Sequence, residues 1–225
     1  PLGMKLKEGA GWNQIENDWE MLLSASQGGN FVALKNGVAS GTAMTVTYSN
    51  RFSWIGMVLV DASIRRSGIG KTLLLTAIEK AKAKGTVRLD ATPDGKKLYD
   101  TLGFAEEFRL TRYQILNFTS DKEESNINCQ PMKVSDLANI IKKDSVIFGA
   151  DRSAILKHLQ KNKSDLAWVC KSKNKITGYC FGRAGSNFTQ IGPLIADRQE
   201  VAETLLLSAL KESKGENYII DSLDS

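Results

Sequence analysis

Between Val58 and Lys71 the chain reads Val-Leu-Val-Asp-Ala-Ser-Ile-Arg-Arg-Ser-Gly-Ile-Gly-Lys, a combination that suits the binding of an anion. An apolar strand, Trp54 to Val60, runs into a short basic and glycine-containing loop, and Thr72-Leu-Leu-Leu-Thr-Ala-Ile78 then opens a helix. The first N–H groups of a helix have no intrahelical partner and point outward, so an anion placed there is attracted. Gly68 and Gly70 let the backbone approach a ligand closely, while Arg65, Arg66 and Lys71 add positive charge. A flexible basic connection would use the same residue types, so the flanking elements decide between the two readings. A phosphate-bearing ligand is the first implication.

Those elements follow from periodicity. Trp12 to Ser24 has helical spacing, with Trp12, Ile15, Trp19, Leu22 and Leu23 on one face. Its tryptophans read as packing residues that could also wall the entrance of a pocket. Phe31 to Leu34 is a predicted strand, Lys35-Asn-Gly37 a tight turn and Val38 to Tyr48 a second strand, in which Gly41 marks a bulge or bend. Arg51 to Val60 supplies a third strand, and the helix from Gly70 to about Lys84 carries Leu73, Leu74, Ala77, Ile78 and Ala81 inward, with Gly85 as its cap. Thr86 to Ala91 is the next strand, and strand, helix and strand at this spacing favour a parallel crossover. That crossover sets the loop at the carboxyl end of a strand, where ligands of α/β sheets bind. Thr92-Pro-Asp-Gly95 reads as a turn before a short helix Lys96 to Leu102, and Phe104 to Leu116 as a closing strand region.

The run Val60-Asp-Ala-Ser-Ile-Arg65-Arg-Ser-Gly68-Ile-Gly70 resembles motif A of the GNAT acyltransferases, roughly V-x-P-x-x-R-x-x-G-x-G/A, with Ala62 where proline is common. The departure alters a turn residue and leaves the phosphate loop intact. Leu98-Tyr-Asp-Thr-Leu-Gly103-Phe104 resembles the end of such a domain, and Leu-Asp-Ala-Thr-Pro-Asp-Gly before it resembles a two-domain branch of the family. The resemblance implies an α/β fold, a mixed α+β sheet of the GNAT-like acyl-CoA N-acyltransferase type, and acetyl-CoA (CoA) as cosubstrate with no metal. It places the pyrophosphate on Arg65, Arg66, Ser67, Gly68, Ile69, Gly70 and Lys71, and the pantetheine arm along Met57, Val58, Leu59 and Val60. The implied reaction is acetyl transfer to an unidentified primary amine by direct attack in a ternary complex, with Tyr99 as proton donor to the thiolate.

Leu98, Tyr99, Leu102 and Phe104 could equally form a core cluster. Asp90, at the end of a central strand, is a candidate base, or a cap for the following turn; Glu106 and Glu107 are alternatives. A noncatalytic CoA-binding or sensing module would share the loop without turnover.

Asn117 to Pro131 is polar, with Asp121-Lys-Glu-Glu-Ser125 at its centre, and reads as a linker. Beyond it, Ser135 to Ile141 and Ser153 to Leu159 suggest helices, and His158, the single histidine, reads as a surface or interhelix residue. An internal repeat then emerges. Phe52-Ser-Trp-Ile-Gly56 returns as Phe188-Thr-Gln-Ile-Gly192, and Thr72-Leu-Leu-Leu-Thr-Ala-Ile78 as Thr204-Leu-Leu-Leu-Ser-Ala-Leu210. The interval from Phe188 to Thr204 is the shorter, contains no glycine between Ile195 and Glu203, and carries acidic residues at the helix entrance. Carboxylates there compete for the N–H groups that would receive phosphate, so the second copy is expected to bind CoA poorly or not at all. The expected division is a GNAT acetyltransferase domain over 4–118, a linker over 119–130 and a degenerate or partial GNAT-like domain over 131–225.

Composition sets outer limits. Of 225 residues, 42% are apolar and 24% charged, as in an ordinary globular protein, and the formal charge of +5 arises from scattered basic residues. That excess is too small and too dispersed to indicate nucleic acid. No stretch has the length of a membrane span and no signal peptide opens the chain, so no membrane partner and a cytoplasmic location are expected. Cys129, Cys170 and Cys180 form no metal-ligand or disulfide pattern. Pro1-Leu-Gly3 resembles the remnant of a cleaved tag and is set outside the fold. Oligomeric state is open.

Overall fold

Asn36 and Gly37 both take left-handed backbone, with φ of 52° and 77°, which is what a two-residue hairpin turn requires if its twist is to match its strands. They join β1 (Asn30–Lys35) to β2 (Val38–Tyr48), and a second turn with Ser49 and Asn50 left-handed leads into β3 (Phe52–Val60). The computed structural model describes residues 1–26, 28–119, 126–212 and 217–224. The chain divides into two units, Pro1–Glu107 and Phe108–Ser225.

In the first unit, α1 (Leu2–Gly9) and α2 (Glu16–Ala25) precede the hairpin. After β3 come α3 (Ile69–Lys82), β4 (Thr86–Leu89) and α4 (Pro93–Thr101). The sheet order is β1-β2-β3-β4, antiparallel except for β3 and β4, whose parallel pairing gives the expected crossover through α3. Leu73, Leu74 and Ala77 of α3 bury against Ala43 and Ile55 of the sheet.

Several boundaries differ from expectation, each for a local reason. The helix expected from Trp12 starts at Glu16, because the Asp18 carboxylate accepts the Ile15 N–H at 2.8 Å and fixes the first turn there. The Trp12 N–H instead donates to the Lys7 carbonyl at the end of α1. Leu2 and Gly3, set outside the fold on sequence, lie within α1, where a Cβ on Gly3 would come within 2.7 Å of the Trp19 ring. Gly85 follows the α3 cap, Ala83; its φ of 109° and the Arg51 carbonyl, 2.2 Å from where a Cβ would stand, account for it. Thr92 to Gly95 is not a separate turn: Thr92 caps α4 through its hydroxyl, Pro93 occupies the first helical position, and Gly95 lies inside the helix.

The second unit contains β5 (Leu110–Ile115), β6 (Cys129–Pro131), α5 (Leu137–Phe148), α6 (Ser153–Asn162), β7 (Trp168–Ser172), β8 (Lys175–Arg183), β9 (Thr189–Ala196), α7 (Gln199–Glu212) and β10 (Tyr218–Leu223), in the sheet order β5-β10-β9-β8-β7-β6. Leu205, Ala209 and Leu210 of α7 pack on Cys180, Ile191 and Tyr218. On the other side, Asp144, only 1% exposed, accepts both forks of Arg152 at 2.7 and 2.8 Å and the Tyr179 hydroxyl at 2.6 Å.

The strand region expected to close the first unit belongs here. β5 pairs antiparallel with β10, and Arg112 grips Asp221 with two bonds of 2.7 and 2.8 Å. It covers an edge of β10 that would otherwise expose its hydrogen-bonding groups. The division between units therefore falls after Glu107 rather than at 118, and Cys129 and Gln130 of the expected linker form β6. Asp121 to Ser125 lies outside the described residues.

The repeat seen in sequence is also a repeat of structure. Strand β9 pairs parallel with β10 through α7, as β3 pairs with β4 through α3. A Cβ on Gly41 would come within 2.9 Å of Leu59 O and Leu73 Cδ1; one on Gly178 would come within 2.9 Å of Ile195 O and Leu205 Cδ1. Gly41 is thus a point of close approach between strand and helix, as its counterpart is.

Candidate functional site

Parallel pairing between β3 and β4 covers Phe52 to Ile55 against Thr86 to Leu89 and stops there. Gly56 to Val60 continues as strand, bonded to β2 on one side only, while the chain after Leu89 turns away into α4. The sheet consequently opens on the far side of β3. A register shift lies in this stretch, where Met57 and Val58 together oppose Ala43 and Met57 takes φ of 53°. Left-handed backbone is uncommon for a side chain of this size and marks a strained position. The Thr42 hydroxyl, buried, donates to the Met57 carbonyl at 2.9 Å and holds the bulge. An extended, amide-bearing ligand could add to the open edge of β3 as a further strand.

At the head of the opening stands the N-terminus of α3. Gly68, with φ of 86°, is its cap, and the first intrahelical bond runs from Thr72 N to Gly68 O at 3.0 Å. The amides of Ile69, Gly70 and Lys71 precede that bond and are available to an anion. Ser67 Oγ donates to Ile64 O at 2.6 Å and Arg65 Nε to Val60 O at 3.3 Å, so these side chains shape the loop. Arg66 and Lys71 are exposed and have no ion pair among the described residues. Asp61, the nearest carboxylate in sequence, is occupied: it accepts the Ser63 hydroxyl and N–H at 2.7 and 3.0 Å and pairs with Lys5 at 3.2 Å. Those bonds, the Ser63 hydroxyl foremost, pull its pKa down to about 2. The two glycines have unequal roles. Gly68 is required by its φ, whereas a Cβ on Gly70 would only touch Val60 Cγ2 at an ordinary 3.5 Å.

Tyr99 of α4 packs on the core between the sheet and α3. It packs, half-buried, against the cluster that Val58, Val60 and Ile69 also join, with the Phe104 ring edge-on at 6.1 Å. Leu98 and Leu102 pack there as well, so the ring is a core residue as well as a candidate donor. Its hydroxyl makes no hydrogen bond among the described residues, and burial raises its pKa above the ordinary tyrosine value.

Asp90 follows Leu89, the last paired residue of β4, and its Oδ2 accepts the Trp54 indole N–H at 3.1 Å. Trp54 alternates with Ile55, which faces α3, so this contact lies on the other side of the sheet from α3. Asp90 does not cap α4; Thr92 does. Of the alternatives, Glu107 pairs with Arg88 at 2.6 Å and Glu106 lies 3.8 Å from Lys96, both partly exposed. Val58, Val60, Ile69 and Tyr99 are therefore brought into one cluster, while Asp90 is held apart by Trp54. The bulge at Met57 was not foreseen, because nothing in an apolar run announces a change of register. Strand β9 also shifts register, one position earlier in the repeat, where Gly192 and Pro193, the counterparts of Gly56 and Met57, together oppose Phe181.

A shallow hollow of about 550 Å³ beside Phe31, Leu75, Thr76, Glu79 and Lys80 contains none of these groups. Among the described residues no cluster of His, Cys, Asp and Glu is arranged to hold a metal ion, and no helix is long and apolar enough to cross a membrane. His158 lies on α6, in the second unit.

Comparison with known proteins matches residues 6–104 to the acetyltransferase (GNAT) family and residues 140–224 to an acetyltransferase (GNAT) domain. The chain belongs to the GNAT acetyltransferase superfamily. One match falls in each unit, so this is a tandem GNAT protein, its second domain a partial one. It is 24% identical over 201 residues to the uncharacterized N-acetyltransferase YitH of Bacillus subtilis (strain 168), covering 88% of this chain and 70% of that one. It is 23% identical over 212 residues to holothin acyltransferase of Pseudoalteromonas sp. (strain SANK 73390), covering 94% and 71%. A crystal structure of a putative acetyltransferase from Pyrococcus horikoshii aligns with a TM-score of 0.71 at 25% identity over 93% of this chain and 75% of that chain. The mixed GNAT-like α/β fold expected from the sequence is the fold observed.

Proposed function

We propose that the first GNAT unit transfers an acyl group, most simply acetyl, from an acyl-CoA thioester to a primary amine in a ternary complex. The observation that carries this reading is the combination of an open β3 edge over Gly56 to Val60, the uncommitted N-terminus of α3, and Tyr99, which packs on the core cluster that Val58, Val60 and Ile69 also cover. The family match and the relatives named as acyltransferases support it.

In this reading Ile69, Gly70 and Lys71 offer backbone amides to the pyrophosphate, Gly68 permits the turn, and Ser67 and Arg65 brace it. Arg66 and Lys71 contribute charge. Backbone groups of Met57, Val58, Leu59 and Val60 align the pantetheine arm, and the bulge offers N–H groups to the thioester oxygen as negative charge develops. The bound thioester supplies an activated acyl carbon. An amine held against it attacks with its nitrogen lone pair, a C–N bond forms, the C–S bond breaks, and Tyr99 gives its proton to the departing sulfur. The proton lost by the amine passes to water. Phenolate formed at Tyr99 recovers its proton from solvent.

The test is release of free CoA thiol from acetyl-CoA in the presence of a polyamine, an amino acid, an aminoglycoside and a peptide with a free N-terminus. Amine-dependent release, reduced about a hundred-fold in kcat by Tyr99→Phe, is expected. Acetyl-CoA binding without release for any of these amines would favour a noncatalytic sensing module instead.

A further inference from the structure

Gly95 stands in the first turn of α4 without any of the usual reasons for a glycine. Its φ is not in the left-handed region, and it caps nothing, since Thr92 is the cap. Glycine within a helix is disfavoured relative to alanine through its extra freedom in the unfolded chain. What it leaves room for is specific. A Cβ built on Gly95 would lie 2.9 Å from Tyr99 Cε2, 3.0 Å from Cζ and 3.0 Å from Oη. Residues four apart on a helix share a face, and helical side chains lean back toward the N-terminus, so the Tyr99 phenol lies over the Gly95 backbone.

We propose that Gly95 is a positioning residue: its missing side chain lets the Tyr99 hydroxyl lie down against the first turn of α4, in the place from which it donates its proton. This rests on the reading of Tyr99 as the donor. The backbone at 95 has little freedom to withdraw, because its N–H donates to Thr92 Oγ1 at 3.2 Å and Pro93 fixes the preceding turn. The phenol is the end of a rotatable side chain, so it is the group that yields when a methyl is added. The helix accepts alanine and the ring moves. Gly95→Ala therefore separates stability from activity, which loss of fold would not do.

The experiment compares the intact chain with Gly95→Ala, Tyr99→Phe and the double variant, using acetyl-CoA and whichever amine of the panel gives the greatest turnover. Gly95→Ala is expected to melt at the same or a higher temperature, to keep its affinity for acetyl-CoA within about two-fold, and to lose kcat by about ten-fold, since misplacing a reacting group by an ångström is costly. In the Tyr99→Phe background the same change is expected to alter kcat less than about two-fold, because the hydroxyl it displaces is gone. Gly95→Ser adds a second side chain of different polarity and is expected to behave as Gly95→Ala. Unchanged kcat in Gly95→Ala, a fall in its melting temperature, or an equal loss in both backgrounds would overturn the proposal. Full activity of Tyr99→Phe, or no amine-dependent turnover by the unmodified chain, would remove the donor reading itself and this inference with it.

Discussion

Tyr99 is the residue at which packing and chemistry meet. Burial raises its pKa, so a step that needs its proton keeps that proton to higher pH than a solvent-exposed tyrosine would. The sign follows: the protonated, active form is present below the raised pKa and is lost only as pH rises through it. Any alkaline fall in kcat assigned to Tyr99 is expected above the ordinary tyrosine value of about 10, and a pH–rate profile through neutral pH is expected to show no limb from this group. A limb near neutrality that vanishes in Tyr99→Phe would contradict the assignment. The sequence exposed this residue only through its distance from Gly103 and Phe104. It could not show that the ring joins Val58, Val60 and Ile69, nor that Gly95 lies under it, because both facts depend on Pro93 to Thr101 being one helix.

At the scale of elements, the strand–loop–helix unit from Phe52 to Lys82 was legible because glycine, charge and periodicity all change within a few residues. The register of β3 was less so. Hydrophobic pattern specifies which residues are apolar, whereas the shift opposite Ala43 is set by pairing with β2 and by the Thr42 bond to Met57. The fate of Leu110 to Ile115 was hidden for a similar reason: its pattern says strand, and only its pairing with β10 says which sheet. Close approach between α3 and the sheet gives a stability test. Gly41→Ala adds a methyl 2.9 Å from both Leu59 O and Leu73 Cδ1 and is expected to destabilise the first unit by about 1–3 kcal/mol in urea unfolding. In the second unit, Asp144→Ala leaves the Arg152 guanidinium and the Tyr179 hydroxyl without their buried acceptor, and a loss of about 3–5 kcal/mol is expected. A change below about half a kcal/mol in either variant would mean that the contact does not constrain its unit.

The whole molecule repeats a GNAT architecture whose two copies have diverged where an acyl donor would be held. In the first, glycine stands at the entrance of α3 beside Arg66 and Lys71, which have no ion pair among the described residues. In the second, the position of Met57 is taken by Pro193, which has no N–H, and Asp197, paired with Lys143 at 2.6 Å, precedes α7 where the first copy has its basic loop. We expect the second unit to support the protein without binding CoA. Calorimetric titration of the intact chain with acetyl-CoA tests the central claim most directly, repeated with Gly68→Glu, which strains the left-handed cap and sets a carboxylate among the phosphate amides, and with Lys71→Glu, which reverses charge without straining the turn. One acetyl-CoA per chain is expected, with no measurable binding by Gly68→Glu, at least about ten-fold weaker binding by Lys71→Glu, and all three chains folded. Two equivalents per chain, or unaltered affinity in both variants, would contradict a single acyl-donor site at the Arg65 to Lys71 loop.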